Sequence, residues 1–197
     1  IQLADLPKEY NRLSFLTDIN KAHLKREMDL SIKAGEIVGQ IYDAILKHYH
    51  DPASEKTLKS LNMLCVRLVF CLYAEDAGIF VKDQFYDYLT QFGAKQLRNA
   101  LINLFKVLDT KESERDPYLD DDLAAFPYVN GGLFAETDIE IPQLDDMVKE
   151  MLLTKASDDF NWSEISPTIF GAVFESTLNP ETRRSGGMHY TSIENIH

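Results

Sequence analysis

The C-terminal stretch "GGMHYTS" combines residue types that suit the binding of a small anion. Gly187 permits tight backbone geometry, and His189, Tyr190 and Thr191 follow it with an imidazole, an aromatic ring and a hydroxyl. The apolar spacing of residues 192–197 predicts that a helix begins here. A helix N-terminus with a free hydroxyl can hold a carboxylate, although the same letters also suit an ordinary helix N-cap without a ligand.

Other residues with catalytic or metal-binding potential form no recognised pattern. His48 and His50 are not one helical turn apart, and Cys65 and Cys71 fit no zinc spacing, so buried thiols are the expected reading. The adjacent side chains of residues 120–122 lack the turn framework that a calcium loop needs. No Glu is followed by Lys two positions later, which excludes a common magnesium-dependent nuclease motif. We predict no metal site and no catalytic residue in this chain.

Composition limits the classes of protein to which the chain can belong. A length of 197 residues suits one domain or two small ones, and the sequence begins at Ile1, as expected for a piece of a longer protein. The net charge of −12 disfavours a general DNA-binding surface, because such a domain is repelled by phosphates. The densest apolar run contains Arg67 and is too short to span a bilayer, so no membrane partner is expected.

The elements that would position these residues are helical. Apolar periodicity predicts helices over about 18–48, 56–77 and 84–109, the last with a possible break at Gly93. Two further helices are predicted over 142–154, with Pro142 near the first turn, and after Ser166. The expected fold is all-α, an irregular multi-helix bundle with a turn-rich insertion near 126–141, and the letters "DIEIP" also allow one short extended piece.

The second helix is apolar nearly all round, which predicts a central position in the domain. It also carries Arg67, Glu75 and Asp76, and a buried charge needs a partner. We therefore expect these three residues to form internal ion pairs. Gly78 is the expected C-cap of this helix.

Four stretches, taken in order, resemble the MmeI-like, type IIL restriction–modification enzymes. They are "RLVFCLYAEDAGIF", "YVNGGLF", "PTIFGAVFESTLNPETRRSGGMHYTS" and "SGGMHYTSIENI", the last of which overlaps the end of the third. The final stretch is similar to the Gly-x-(Tyr/Phe)-Thr-Pro motif that precedes the cofactor-binding core of adenine methyltransferases. Ser192 replaces the usual proline, as it does in many members of the MmeI-like branch.

This resemblance implies a specific place in a larger enzyme. Residues 1–178 would be a helical spacer between a nuclease domain and a methyltransferase domain, and residues 179–197 would begin the methyltransferase. The parent would transfer a methyl group from S-adenosylmethionine to adenine N6 in DNA, with the base flipped out. It would be cytoplasmic, would contact DNA through its other domains, and would make intramolecular contacts to both flanking domains.

The resemblance also assigns the cofactor-binding residues: Tyr190 and Thr191 would line the methionine end of S-adenosylmethionine, with Gly187 and His189 adjacent. The remaining wall of that site would lie after His197, so the chain by itself is expected to be inactive. A second reading stays open at this point. In that reading the chain is a stand-alone helical module that binds a basic protein partner through a groove.

Overall fold

A computed structural model describes residues 14–129, 131–166 and 171. No strand occurs within these residues, which confirms the all-α prediction. In chain order the helices are α1 (Ser14–Leu46), α2 (Glu55–Asp76), α3 (Gln84–Thr90), α4 (Ala94–Asp109), α5 (Asp121–Ala124) and α6 (Asp146–Met151). Two 3₁₀ turns, Glu112–Glu114 and Trp162–Glu164, and a π-helical segment, Leu152–Asp158, complete this order.

Helix α2 lies at the centre of the fold, as its apolar pattern predicts. The Ser54 side chain caps its N-terminus by accepting a hydrogen bond from the backbone of Thr57, and no residue from 60 to 75 is exposed. Its length and composition would also suit a membrane-crossing helix, but most of it is enclosed by neighbouring elements. Gly78 follows the last turn with a positive φ of 73°, a conformation that glycine adopts without strain.

The predicted break at Gly93 is confirmed. Gly93 caps α4 and separates it from α3, and its backbone N–H donates to the Gln96 side chain. The two helices remain joined, because the buried hydroxyl of Tyr88 donates to the carbonyl of Ala100 over 2.9 Å. The ring of Tyr88 also meets the rings of two other aromatic residues edge-on, so this corner is fixed by both polar and apolar contacts.

The insertion near 126–141 is turn-rich, as predicted, but its aromatic residues belong to the core. Phe126 and Phe134 are buried, and each packs against a ring from a surrounding helix, Tyr88 of α3 and Phe105 of α4 respectively. Between them, Gly131 and Gly132 have φ values of 144° and 77°, which side-chain-bearing residues rarely adopt. The chain is therefore held by burial on both sides of the turn, and the two glycines let it reverse between these points.

One prediction for the residues around Pro142 is wrong, namely that the next helix starts at 142. Residues 138–142 pair with no other backbone as a strand. Side chains bind this segment instead: the Ser60 hydroxyl accepts a hydrogen bond from the N–H of Glu140, and the Tyr49 hydroxyl donates one to the carbonyl of Glu140. Pro142 does not lie in the first turn of α6, because Asp145 caps that helix by accepting from Val148 N. The cap, rather than the proline, decides where this helix starts.

Several predictions fall outside the described residues. They include the body of the helix after Ser166, apart from Gly171, and the boundary between residues 178 and 179. The predicted cofactor-binding residues Gly187, His189, Tyr190 and Thr191 also lie outside.

Candidate functional site

Three charged residues of α2 each bind the backbone of a different neighbouring segment. The expectation that Arg67, Glu75 and Asp76 form ion pairs is wrong, since within the described residues none of them has a charged partner in salt-bridge range. Their hydrogen bonds go to main-chain groups of loops and helix ends, which lack partners of their own. We call these three residues and their backbone partners the α2 junction.

Arg67 binds the insertion just after its glycine turn. Its Nε donates to the carbonyl of Leu133 over 3.0 Å, and one terminal nitrogen donates to the carbonyl of Glu136 over 2.6 Å. The guanidinium also lies 5.3 Å from the ring centre of Phe105 and 5.5 Å from that of Phe134. The side chain is 2% exposed. Burial lowers the pKa of the Arg67 guanidinium, but an arginine stays charged at neutral pH.

Glu75 holds the start of α3. One of its carboxylate oxygens, Oε1, accepts hydrogen bonds from Phe85 N at 2.6 Å and from Tyr86 N at 3.2 Å, both in the first turn of that helix. The local N-cap, Asp83, makes no side-chain cap bond and has a φ of 59°. Glu75 therefore supplies the anion that a helix N-terminus favours. Burial raises the pKa of the Glu75 carboxyl, and the two amide hydrogen bonds oppose this shift.

We expect Glu75→Gln to gain stability relative to the unmodified chain as the pH rises. A raised pKa means that the folded state holds its proton longer than the unfolded state, so stability falls as the pH rises from about 4.5 through the folded pKa. Glutamine keeps an acceptor for both amides and does not titrate. Urea unfolding of both proteins at pH 4 and pH 7 measures the difference, and Glu150→Gln, at an exposed site, controls for loss of one charge. A difference in stability that is the same at both pH values would contradict the expectation.

Asp76 holds the segment that follows the π-helix. Its carboxylate accepts from Trp162 N over 2.6 Å, and the indole Nε1 of Trp162 donates to the carbonyl of Ala156 over 2.6 Å. The indole is 1% exposed and meets the ring of Phe160 edge-on at 4.9 Å. Sequence reasoning missed this residue, although the only tryptophan of the chain, set in a polar run, is a signal for a buried contact.

Arg115 organises the acidic loop in the same manner. The loop between α4 and α5 is largely exposed, as predicted, but the Arg115 guanidinium donates to four carbonyls at distances of 2.7–3.2 Å. These carbonyls belong to Val107, Thr110, Ala124 and Phe126. A single side chain therefore joins the end of α4 to the end of α5.

The described residues offer little to a metal or a small ligand. No group of three or more His, Cys, Asp or Glu side chains converges among them. Two open grooves of about 380 and 420 Å³ run along α1, and Lys33 lines both. Lys33 itself is engaged, because its ammonium donates to the carbonyl of Asp159 and lies over the ring of Phe160.

Comparison with known proteins places this architecture in a family. Residues 1–48 match the family described as "MmeI, N-terminal domain", and residues 59–134 match the one described as "MmeI, helicase spacer domain". A solved structure of the Type IIL restriction-modification enzyme MmeI in complex with DNA superposes with a TM-score of 0.67 at 40% identity over 84% of this chain. The chain belongs to the MmeI-like type IIL family.

The MmeI-like chain also matches a longer curated relative. DNA methyltransferase A of Bacillus subtilis (strain 168) is 33% identical over 199 residues, which cover all of this chain and 22% of that protein. The chain covers 21% of the MmeI structure. It therefore spans about a fifth of the length of each relative.

The core of this MmeI-like spacer extends beyond the stretch that matches the spacer family. Arg67 and Leu133 lie inside residues 59–134, but Trp162 lies after it and α1 lies before it. Trp162 and buried residues of α1 and α2 form one hydrophobic core, against which Leu133 packs. The α2 junction is thus the centre of a larger helical unit.

Proposed function

We propose that this chain is the helical spacer of a cytoplasmic restriction–modification enzyme. The parent carries an endonuclease domain before the spacer and a methyltransferase domain after it, and the spacer holds the two in a fixed relation. The observation that carries this proposal is the α2 junction. Its three charged side chains form their hydrogen bonds with backbone groups of three separate segments of the chain. Such an arrangement favours rigidity, which a connector between two active domains needs.

The resemblance and the methyltransferase relative support the reaction proposed for the parent. The parent transfers the methyl group of S-adenosylmethionine to adenine N6 in DNA, and DNA is bound by domains other than the spacer. The spacer's own charge supports that division, since −12 is unsuited to phosphate contacts. The test is a transfer assay with radiolabelled S-adenosylmethionine on the full-length enzyme, with the modified base identified by mass spectrometry. Methylation of cytosine, or none at all, would overturn the proposed reaction.

The cofactor would bind Gly187, His189, Tyr190 and Thr191 at the start of the methyltransferase domain, from residue 179 onward. The motif and the resemblance support this assignment. The Thr191 hydroxyl would donate to the carboxylate of the methionine moiety. The methyl group and sulfonium charge come from the cofactor itself, and these residues would only hold and orient it.

We expect Thr191→Val to weaken S-adenosylmethionine binding by the full-length enzyme about ten- to a hundredfold, because a hydrogen bond to a charged group contributes about 1.5–3 kcal/mol. Valine keeps the shape of threonine and removes only the hydroxyl donor. Titration calorimetry measures the affinity, and Thr182→Val is the matched control. Equal affinity of the Thr191→Val enzyme and the unmodified enzyme would place the site elsewhere. Tight binding by the 197-residue chain alone would do the same.

A further inference from the structure

The last continuous stretch of described residues ends beside helix α1. Glu164 pairs with Arg26 of that helix at 2.6 Å, and the carbonyl of Asp159 accepts a hydrogen bond from Lys33 at 3.3 Å, so this stretch braces α1. Ser166 follows Glu164 by two positions. The residues that come next therefore start within a short reach of the same side of α1.

This side of α1 is open. Two grooves lie end to end along residues 25–40, a distance of about 22 Å, and Lys33 belongs to both. Residues that line them recur at alternating intervals of four and three, namely Arg26, Leu30, Lys33, Ile37 and Gln40. These are the intervals at which one helix packs lengthwise along another. Leu30 and Ile37 supply apolar surface, and the aliphatic stems of the arginine and the lysine add to it.

Residues 167–178 have the pattern of a helix that needs such a surface. Large apolar residues recur among them at helical spacing and form one stripe, which consists of Ile169, Phe170, Val173 and Phe174. Gly171 is helical and exposed, and helical spacing turns it about 130° away from the middle of that stripe. A helix over 167–178 would be about 18 Å long, close to the combined length of the two grooves.

We propose that residues 167–178 form a helix that packs lengthwise on the 25–40 side of α1 and fills the two grooves. The chain enters at the Arg26 end of the grooves, so this helix runs parallel to α1 and brings Phe170 close to Leu30. The apolar stripe and the groove surface then leave water together. The inference concerns the packing of the spacer alone and does not depend on the proposed reaction.

Disulfide trapping in the full 197-residue chain tests this contact. Leu30→Cys is combined in turn with Ile169→Cys, Phe170→Cys, Val173→Cys and Phe174→Cys, and the oxidised chains are digested and analysed by mass spectrometry. A disulfide requires Cα atoms about 4.4–6.8 Å apart, so we expect an intramolecular bond from position 170 or 173. Ala172→Cys and Glu175→Cys lie off the apolar stripe and are the matched controls, which should form no bond with position 30.

Hydrogen exchange provides a second measurement that needs no particular register. Leu30→Glu places a charge in the first groove, and amide exchange over residues 169–178 should become at least about tenfold faster. Met28→Glu places the same charge on α1 at a side chain that is 54% exposed and lines neither groove. That control should change the exchange by less than about twofold, and exchange in α4 reports whether the whole fold has been disturbed.

The outcomes that would overturn the proposal are distinct from those that test the reaction. Disulfides in equal yield from all the tested positions, or from none, would exclude the packing. A disulfide-linked dimer would exclude it too, because a second copy of the chain would then fill the grooves. Equal exchange over residues 169–178 in the Leu30→Glu and Met28→Glu chains would also contradict it. The proposed reaction is decided separately, by the transfer assay on the full-length enzyme.

Discussion

Replacing Trp162 by alanine is expected to lower the free energy of unfolding by about 3–5 kcal/mol, the cost of removing a buried tryptophan side chain. The indole is 1% exposed, packs edge-on against Phe160 and donates to the carbonyl of Ala156. Alanine would leave a cavity and an unpaired buried carbonyl. Urea unfolding of the 197-residue chain, followed by far-ultraviolet circular dichroism, measures the change.

Two control variants show which part of Trp162 matters. Trp162→Phe keeps most of the packing and loses the Nε1 hydrogen bond, so we expect a smaller loss of about 1–3 kcal/mol. Tyr118→Ala removes another large aromatic side chain, but one that is 92% exposed, and should change stability by less than about 0.5 kcal/mol. A Trp162→Ala chain as stable as the Tyr118→Ala chain would show that the segment holding Trp162 does not pack on α2.

Arg67→Ala should lower the free energy of unfolding about as much as Trp162→Ala, by roughly 3–5 kcal/mol, although the Arg67 side chain is charged. Alanine removes both hydrogen bonds to the insertion, at about 1–3 kcal/mol for each carbonyl left unpaired. It also empties the space between the rings of Phe105 and Phe134. Urea unfolding measures the loss of unfolding free energy. Methionine fills most of the space that alanine would leave empty, so Arg67→Met should lower the free energy of unfolding clearly less than Arg67→Ala.

An exposed arginine provides the matched control for this series. Arg26 has 71% of its side chain exposed, and its replacement by alanine should change stability by less than about 1 kcal/mol. Equal unfolding free energies for Arg67→Met and Arg67→Ala would mean that packing of the arginine stem contributes nothing. The buried position of the α2 junction would then be in error.

Both effects bear on the proposed role of the chain. Trp162 joins α2 to the segment that braces α1, and Arg67 joins α2 to the insertion. Loss of either contact would loosen one part of the unit against another, and under the proposed function this would alter the relative placement of the flanking domains before the chain unfolds. The reading of the chain as a stand-alone interaction module receives no comparable support, since its full length aligns with a fifth of a longer relative.

The sequence alone determined the elements whose causes are local. Helical periodicity located α2 and α4, because a 3.6-residue repeat of apolar side chains is written in neighbouring residues. Gly93 marked a break, and the turn-rich insertion near 126–141, which contains Gly131 and Gly132, was predicted for the same reason, since the effect of a glycine is on its own backbone. The family was also identified from the sequence, because its motifs are short, ordered stretches.

Only the tertiary structure decided what the charged residues do. Arg67, Glu75 and Asp76 were predicted to pair with other charges, because the sequence shows that a buried charge needs a partner but not which groups surround it. Loops and helix ends carry backbone groups without local partners, and these became available to α2 only when the chain closed around it. Burial of Trp162 depends on the same long-range closure, across 86 residues from Asp76, which no local pattern records.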